Sequence, residues 1–365
     1  MLNVCTHRGA AVCRSEIGNT TAHRCAFHGW AFGPDGDLVG VPFERLQYGR
    51  GLDGKGLDKS KHGLRKARVE IAAGVVFACW SDHAPSLDEF LGDFRFYLEA
   101  QLARTAGGME VAGPPQRYVI DANWKVIAEG FFGDAYHVIT VHRSFNDLGK
   151  VTSQSDRPLY TFKASDHGHT MLCFDYESYG LTGPPEQLLR MAVPPGMPVE
   201  MVDEVFSTLS PDQVSLLASM PPSIGGIWPS SATVFIGGGP SSEVGQTTSL
   251  RFFVPLSPTR TELVSFSLVE KDAPPEFKRA IHGGTARSFG AAGLFESDDS
   301  EVWASVQRGL QGFIGRQSVE NYQATGEPRD PDPARPGTTG RGLTGDDAQW
   351  HFYERYFEAM GAGRE

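Results

Sequence analysis

The chain has 365 residues, a formal net charge of −11, 40% hydrophobic residues and 21% charged residues. That length suits about two domains with a buried core, while the acidic balance argues against nucleic acid and anionic membrane as partners. No apolar run nears the ~20 residues of a membrane span, and no basic-then-apolar leader opens the chain, so a cytoplasmic protein is expected.

In chain order, residues 1–50 are loop-rich, and "HGWAFGPDGDLVGVP" reads as a turn between two short strands. Residues 65–80, "RKARVEIAAGVVFACW", read as two strands separated at Gly74. Ser86 with Glu89 three positions on forms a helix-capping pattern, which places a boundary near residue 85. The remainder has the mixture of an α+β domain. "QRYVIDANWKV" (116–126) is strand-like, and "KVIAEGFFGDAYHVITVH" (125–142) reads as a helix with polar groups set in an apolar run. "YTFKA", "TMLCFDY", "ATVFIG", "LRFFVPL" and "TELVSFSLV" are strand candidates, and Ser210 with Pro211 opens a helix. Residues 325–345 read as a Pro/Gly loop, followed by an aromatic-rich helix, "DDAQWHFYERYFEAM", expected to dock on the second domain.

Five cysteines (Cys5, Cys13, Cys25, Cys79 and Cys173) in a reducing compartment read as metal ligands or buried thiols. Two of them carry a pattern: Cys5-x-His7 near the start and Cys25-x-x-His28 later, each followed by glycine, Gly9 and Gly29. Each loop can give one ligand to each of two adjacent metals. Two thiolates on one iron and two imidazoles on the other is the Rieske [2Fe–2S] arrangement. The competing reading is a zinc site, but zinc fingers usually pair Cys with Cys and His with His. Cys13 fits neither loop and reads as a buried thiol, and His23 as a surface residue.

A Rieske cluster only moves electrons, so a second centre is required. "EGFFGDAYHVITVH" offers Glu129, Asp134, His137 and His142. On a regular helix a five-residue spacing turns side chains about 140° apart, so the two histidines can share a metal only where the helix widens or ends. "FESDDSEVW" (295–303) supplies Asp298 and Asp299 as candidates for the carboxylate of a facial triad of non-haem Fe(II). "DHGHT" (166–170) holds a rival His-x-His pair with no acidic partner in view.

With "CTHRG", "CAFHGW", "NWKVIAEGFFGDAYHVITVH" and "SFGAAGLFESDDSEVW" in this order, the chain resembles the large (α) subunits of Rieske non-haem iron aromatic ring-hydroxylating dioxygenases. The resemblance implies an α+β protein: a Rieske β domain over 1–85, then a helix-grip (START-like) catalytic domain over 86–365 with an antiparallel sheet. It implies Cys5 and Cys25 on one cluster iron and His7 and His28 on the other, with His137, His142 and Asp299 on the mononuclear Fe(II). Asp134 matches the aspartate that links the iron site to a cluster histidine, here His28, of a neighbouring subunit, and Phe131, Val138, Phe289 and Phe295 match substrate-pocket positions. The implied partners are an aromatic substrate, O₂, a ferredoxin and/or reductase drawing on NAD(P)H, and sister α subunits in a trimer, with or without β subunits (α3β3). A cis-dihydrodiol is the expected product. A Rieske monooxygenase or demethylase, or a truncated non-catalytic remnant, are the alternatives. Two departures from the family stand out. Gly130 replaces the usual Asn or Gln seven residues before the first iron histidine, which is expected to enlarge the pocket or admit a water. Only four residues precede Cys5, so a Rieske domain lacking its first strands, and destabilised by their loss, is expected.

Overall fold

The computed structural model describes residues 1–15, 17–49, 56–147, 159–163, 167–237, 246–326, 332–341 and 344–361. The chain divides into two compact units, one of residues 1–71 and 75–85, the other of 72–74 and 86–365.

In the first unit β1 (His23–Arg24), β2 (Ala31–Phe32) and β3 (Leu38–Gly40) form a small antiparallel sheet, followed by α1 (Glu44–Tyr48) and the hairpin β4 (Arg68–Ala72) and β5 (Val75–Cys79). The turn between β2 and β3 is closed by the Gly33 N–H donating to Asp37 O at 2.8 Å. The core is small: Val12, Trp30, Phe32, Leu38 and Leu64 gather around Cys5 and Cys25. A core this size stabilises a fold weakly, so a metal group held by those cysteines would add directly to folding free energy. Cys13 lies outside this core. It is exposed, because Asn3 Oδ1 accepts from the Val12 and Cys13 N–H groups and turns Val12 inward instead. His23 is half-buried in β1 rather than fully on the surface.

The second unit opens with α2 (Leu87–Leu91), α3 (Phe94–Leu102), β6 (Met109–Val111), β7 (Gln116–Ile120), α4 (Trp124–Phe131), α5 (Arg143–Asp147), β8 (Leu159–Lys163) and β9 (Thr170–Phe174). It continues through α6 (Pro185–Met191), α7 (Val202–Thr208), α8 (Pro211–Ser219), β10 (Pro222–Ile227), β11 (Ser231–Ile236), β12 (Thr247–Ser257) and β13 (Arg260–Glu270). The last elements are α9 (Pro275–Phe289), α10 (Leu294–Gln311), β14 (Thr338–Arg341) and α11 (Asp347–Gly361). One antiparallel sheet runs β14-β8-β9-β10-β11-β12-β13-β6, with β7 also on β13. The long strand β13 serves both neighbours: its first half pairs with β7 and its second with β6.

Apolar alternation places Ala232, Val234, Phe253 and Leu263 on one sheet face, where they bury against Ile127, Ala128, Phe131 and Phe132 of the α4 region, Phe289, Phe295, Trp303 and Phe352. The opposite face meets α3, whose Phe94 lies against Gly225 and whose Gln101 bonds Thr233, and an antiparallel sheet packed by helices in this way is the α+β arrangement implied by the resemblance. Local chemistry starts the helices. Ser86 and Ser210 each form a complete capping box, with Glu89 and Gln213. Two sequence readings are corrected. Strand-like character ends at Ile120, because Asn123 accepts from the Lys125 N–H (3.0 Å) and starts α4 where a strand was expected. The Pro/Gly segment also contributes a fold element, since Thr338–Arg341 pairs with β8; residues 327–331 and 342–343 of that segment lie outside the described residues.

Candidate metal centres

The two Cys/His loops are built the same way. Cys5 N–H donates to Ala10 O and Gly9 N–H to Cys5 O; Cys25 N–H donates to Trp30 O and Gly29 N–H to Cys25 O, all at 2.8–2.9 Å. Both loops therefore close at the same offset from their cysteine, on glycines with φ of +79° and +74°, a conformation that a side chain would strain. At Gly29 a Cβ would also meet Pro42 Cγ at 2.8 Å. The closure turns both thiols inward, where they are buried, and brings the His7 and His28 rings to 4.6 Å. Trp30 stacks flat on His7 at 4.7 Å and fixes its plane.

Burial raises the Cys5 thiol pKa, and neighbouring Cys25 raises it further. Burial also opposes the Cys25 thiolate, but the Phe27 N–H and Cys5 stabilise it and bring its pKa down. One thiol of the pair, Cys25, is thus biased toward the thiolate that a metal binds. His7 Nδ1 is buried with no hydrogen-bond partner, an expensive arrangement for a polar atom unless something else binds it. Two inward thiols, two adjacent imidazoles and an orphaned ring nitrogen fit a [2Fe–2S] cluster with mixed ligation.

In the second unit the expected continuous helix over 125–142 is interrupted. The α4 helix ends at Phe131, a single 3₁₀ turn covers Tyr136–Ile139, and α5 begins after His142. This interruption removes the angular problem posed by the five-residue spacing. The ring centroids of His137 and His142 lie 5.3 Å apart. Between them sits Asp299 of α10, its Oδ1 3.4 Å from His137 Nε2 and 3.2 Å from His142 Nε2. Asp298 reaches His142 from the other side, at Nδ1, 3.4 Å away. So Asp299 faces both metal-ready nitrogens, and Asp298 is placed to orient one ring, as an outer partner does for a ligating histidine. One donor atom from each of His137, His142 and Asp299 falls within 4.8 Å of the others. Two imidazoles and a carboxylate fit Fe(II) with open positions.

Asp134 is tied to the same turn: its Oδ1 accepts from the Tyr136 and His137 N–H groups, and its Oδ2 lies 3.1 Å from His137 Nδ1. Burial disfavours its charge, but His137 and those N–H groups outweigh burial and hold the carboxyl below its usual range. The rival pair plays another part. His169 is fully buried, with Nε2 2.9 Å from Phe90 O and Nδ1 accepting from the Trp228 N–H at 3.0 Å.

What holds Asp299 in place was not visible in the motifs. Arg251 of β12 and Glu296, one turn before Asp299, form a fully buried ion pair at 2.6 Å. The Arg251 guanidinium lies over the rings of Phe131 (4.9 Å) and Phe289 (5.2 Å). Phe289 stacks on Phe295 at 5.3 Å, and Phe295 meets His142 edge-on at 5.0 Å. Phe131, Phe289 and Phe295 are thus packed beside the triad, while Val138 is half-buried on the 3₁₀ turn. Gly130 borders open space, but the position its missing side chain would take is occupied. A Cβ there would meet the Trp303 indole at 3.1–3.4 Å, so the indole fills the room a side chain would use. Trp303 lies four residues after Asp299 on α10, and that i,i+4 spacing was the available signal. A cavity of about 440 Å³ beside the cluster is lined by Glu129, Gly130, Asp134, His137, Asp299 and Trp303, among others.

Comparison with known proteins is decisive here. Residues 1–48 match the Rieske [2Fe-2S] domain, and residues 108–200 match the ring hydroxylating alpha subunit (catalytic domain). The benzene 1,2-dioxygenase subunit alpha of Pseudomonas putida is 31% identical over 374 residues, covering 98% of this chain and 77% of that protein. The chain belongs to the Rieske ring-hydroxylating dioxygenase alpha subunits. The N,N-dimethyl phenylurea N-demethylase subunit alpha of a Sphingobium strain is 34% identical, covering 84% of this chain and 66% of that one. Among solved structures, naphthalene 1,2-dioxygenase from Rhodococcus sp. bound to indole superposes with a TM-score of 0.85 at 36% identity, covering 100% of this chain and 81% of that one. This alpha subunit is accordingly an oxidoreductase of the Rieske type, whose cofactors are a [2Fe–2S] cluster and a mononuclear iron. No helix among the described residues is long and apolar enough to cross a membrane.

Proposed function

We propose that the chain is the oxygenase component for an apolar aromatic substrate, carried by the convergence of half-buried His137 with buried His142 and Asp299 in one cluster. Residues 1–85 form the electron-receiving domain, with Cys5, Cys25, His7 and His28 as cluster ligands, and residues 86–365 form the oxygenase domain. When bound, the cluster supplies one-electron transfer and the mononuclear iron supplies a redox-active centre with open positions for O₂ chemistry.

The protein's own groups do the rest. Asp298 and Asp134 orient His142 and His137 from their outer ring nitrogens, and Asp134 is the link to His28 of a neighbouring copy. Phe131, Phe289 and Phe295 seat an aromatic ring and keep water from it, which suits an apolar substrate. Their rigidity rests on the Arg251–Glu296 pair beneath them. A ferredoxin and/or reductase drawing on NAD(P)H delivers electrons, sister subunits complete a ring, and a cis-dihydrodiol leaves.

Iron–sulfide reconstituted protein, supplied with a reductase and a panel of mono- and polycyclic aromatics, tests the reading by product mass. Dihydrodiols support it. Formaldehyde from N-methyl substrates, without ring oxidation, favours the demethylase alternative. Asp134→Ala is expected to keep both metal contents while losing coupled product formation; normal turnover in that variant removes the linking role.

A further inference from the structure

Dioxygenation of an arene takes up two electrons and two protons with O₂, and hydroxylation or demethylation takes up the same, one oxygen atom leaving as water. An aromatic ring has no acidic proton to give. A group beside the site must hold protons, and α4 carries one that the metal ligands do not use.

Glu129 sits eight residues before His137 and lines the same cavity as His137, Asp134 and Asp299. Its Oε2 accepts from Tyr353 Oη of α11 at 2.7 Å and from Tyr322 Oη, from the segment after α10, at 3.0 Å. The two phenol rings stand 5.6 Å apart. Among the described residues no lysine or arginine pairs with this carboxyl. The groups facing it are the two tyrosines, with Asp134 and Glu320 acting at longer range, and Asp299, Asp346 and His137 elsewhere on the cavity wall. Burial disfavours the anion most, the two carboxylates add to that, and the two phenols partly offset it, so the carboxyl is pushed up to about 7. A general acid works best when its pKa lies near the working pH.

We propose that Glu129, clasped by Tyr322 and Tyr353, is the proton-holding residue that supplies the cavity beside His137 and Asp299, an inference that rests on the oxygenase reading above. The Oε–H bond breaks, and the proton passes through the cavity to oxygen being reduced with electrons from the reductase. The carboxylate left behind accepts from both tyrosine hydroxyls, and solvent returns the proton between turnovers. Glu129 acts through the cavity it lines with His137 and Asp299, as a positioning residue for protons.

The test has one readout apart from activity. In the holoenzyme, the infrared difference between wild type and Glu129→Gln should show a protonated carboxyl band that fades as pH rises through about 7. Tyr353→Phe removes a donor that stabilises the anion, so the band's midpoint should move up by roughly half to one pH unit. The alkaline limb of product formation should move with it, whereas a mere clasp between α4 and α11 would change stability and leave the limb in place. Glu129→Gln should slow product formation about a hundredfold and lose that limb, with part of the rate restored in Glu129→Asp. Absence of the band, an unmoved limb in both Tyr353→Phe and Tyr322→Phe, or a wild-type profile in Glu129→Gln would overturn the proposal. Wild-type holoenzyme that yields no oxygenated product defeats the oxygenase reading, and this role with it, whatever the infrared midpoint.

Discussion

Replacing Gly130 with alanine should change stability in opposite directions depending on what stands at position 303. In wild type the new methyl would lie 3.1 Å from Trp303 Cζ2 and 3.2 Å from Nε1. That is a few tenths of an ångström too close, and the indole is buried and tilted against the Phe131 ring at 5.7 Å, so it yields poorly. Overpacking of this kind costs about 1–3 kcal/mol, against a gain of about 0.8–1.0 kcal/mol from removing a helical glycine. The clash wins by zero to about 2 kcal/mol, and Gly130→Ala should be destabilising. Trp303→Ala alone should cost about 3–5 kcal/mol through the cavity it leaves. With the indole gone, Gly130→Ala keeps only its helix gain and should stabilise by about 1 kcal/mol. The four proteins, compared by urea unfolding followed by far-ultraviolet circular dichroism, give the coupling directly. If Gly130→Ala has the same sign in both backgrounds, Trp303 is not what requires glycine at this position.

Three further outcomes can be checked independently. His142→Ala and Asp299→Ala should each lower bound iron by the mononuclear equivalent while leaving the Rieske-type absorbance intact, read by metal analysis and visible spectroscopy. Burial disfavours the charged ring and lowers His169 to about 3, and a proton on Nδ1 would displace the Trp228 N–H bond as well. Its depressed folded value means that unfolded chain binds the extra proton first. Stability from this group is therefore complete above about 6.5 and falls as pH drops toward 3, by up to about 1.4 kcal/mol per pH unit. A shift of the urea midpoint between pH 7 and 5 that is identical in wild type and His169→Gln would refute it. Finally, exposed Cys13 should be the fast-reacting thiol of cluster-loaded protein and buried Cys173 a non-reacting one; Cys13→Ser should remove the fast phase without lowering iron content.

Much of the molecule was legible because its chemistry is local. The cysteine and histidine of each loop sit within four residues of one another, the capping boxes span three, and alternation in the long strands follows from the two-residue period of a strand. Those patterns act over distances that the chain itself fixes, so they carry to the structure unchanged. Even the awkward five-residue gap between His137 and His142 announced that a regular helix could not persist there.

Other features depend on groups far apart in sequence, and only the tertiary structure decided them. Spacing alone left Asp298 and Asp299 open and only the resemblance singled out Asp299; what turns it toward both histidines is how α10 packs, which the buried Arg251–Glu296 pair helps set. Gly130 read as missing bulk until Trp303 was found in the space. Cys13 read as buried until Asn3 was seen to turn its neighbour inward. The carboxyl of Glu129 acquires its character from Tyr322 and Tyr353, 193 and 224 residues away. The sequence by itself determined the donor types, their local spacing and the alternation that folds them. Tertiary packing decided which donors meet, because burial and orientation are set by neighbours whose distance along the chain carries no information about their distance in space.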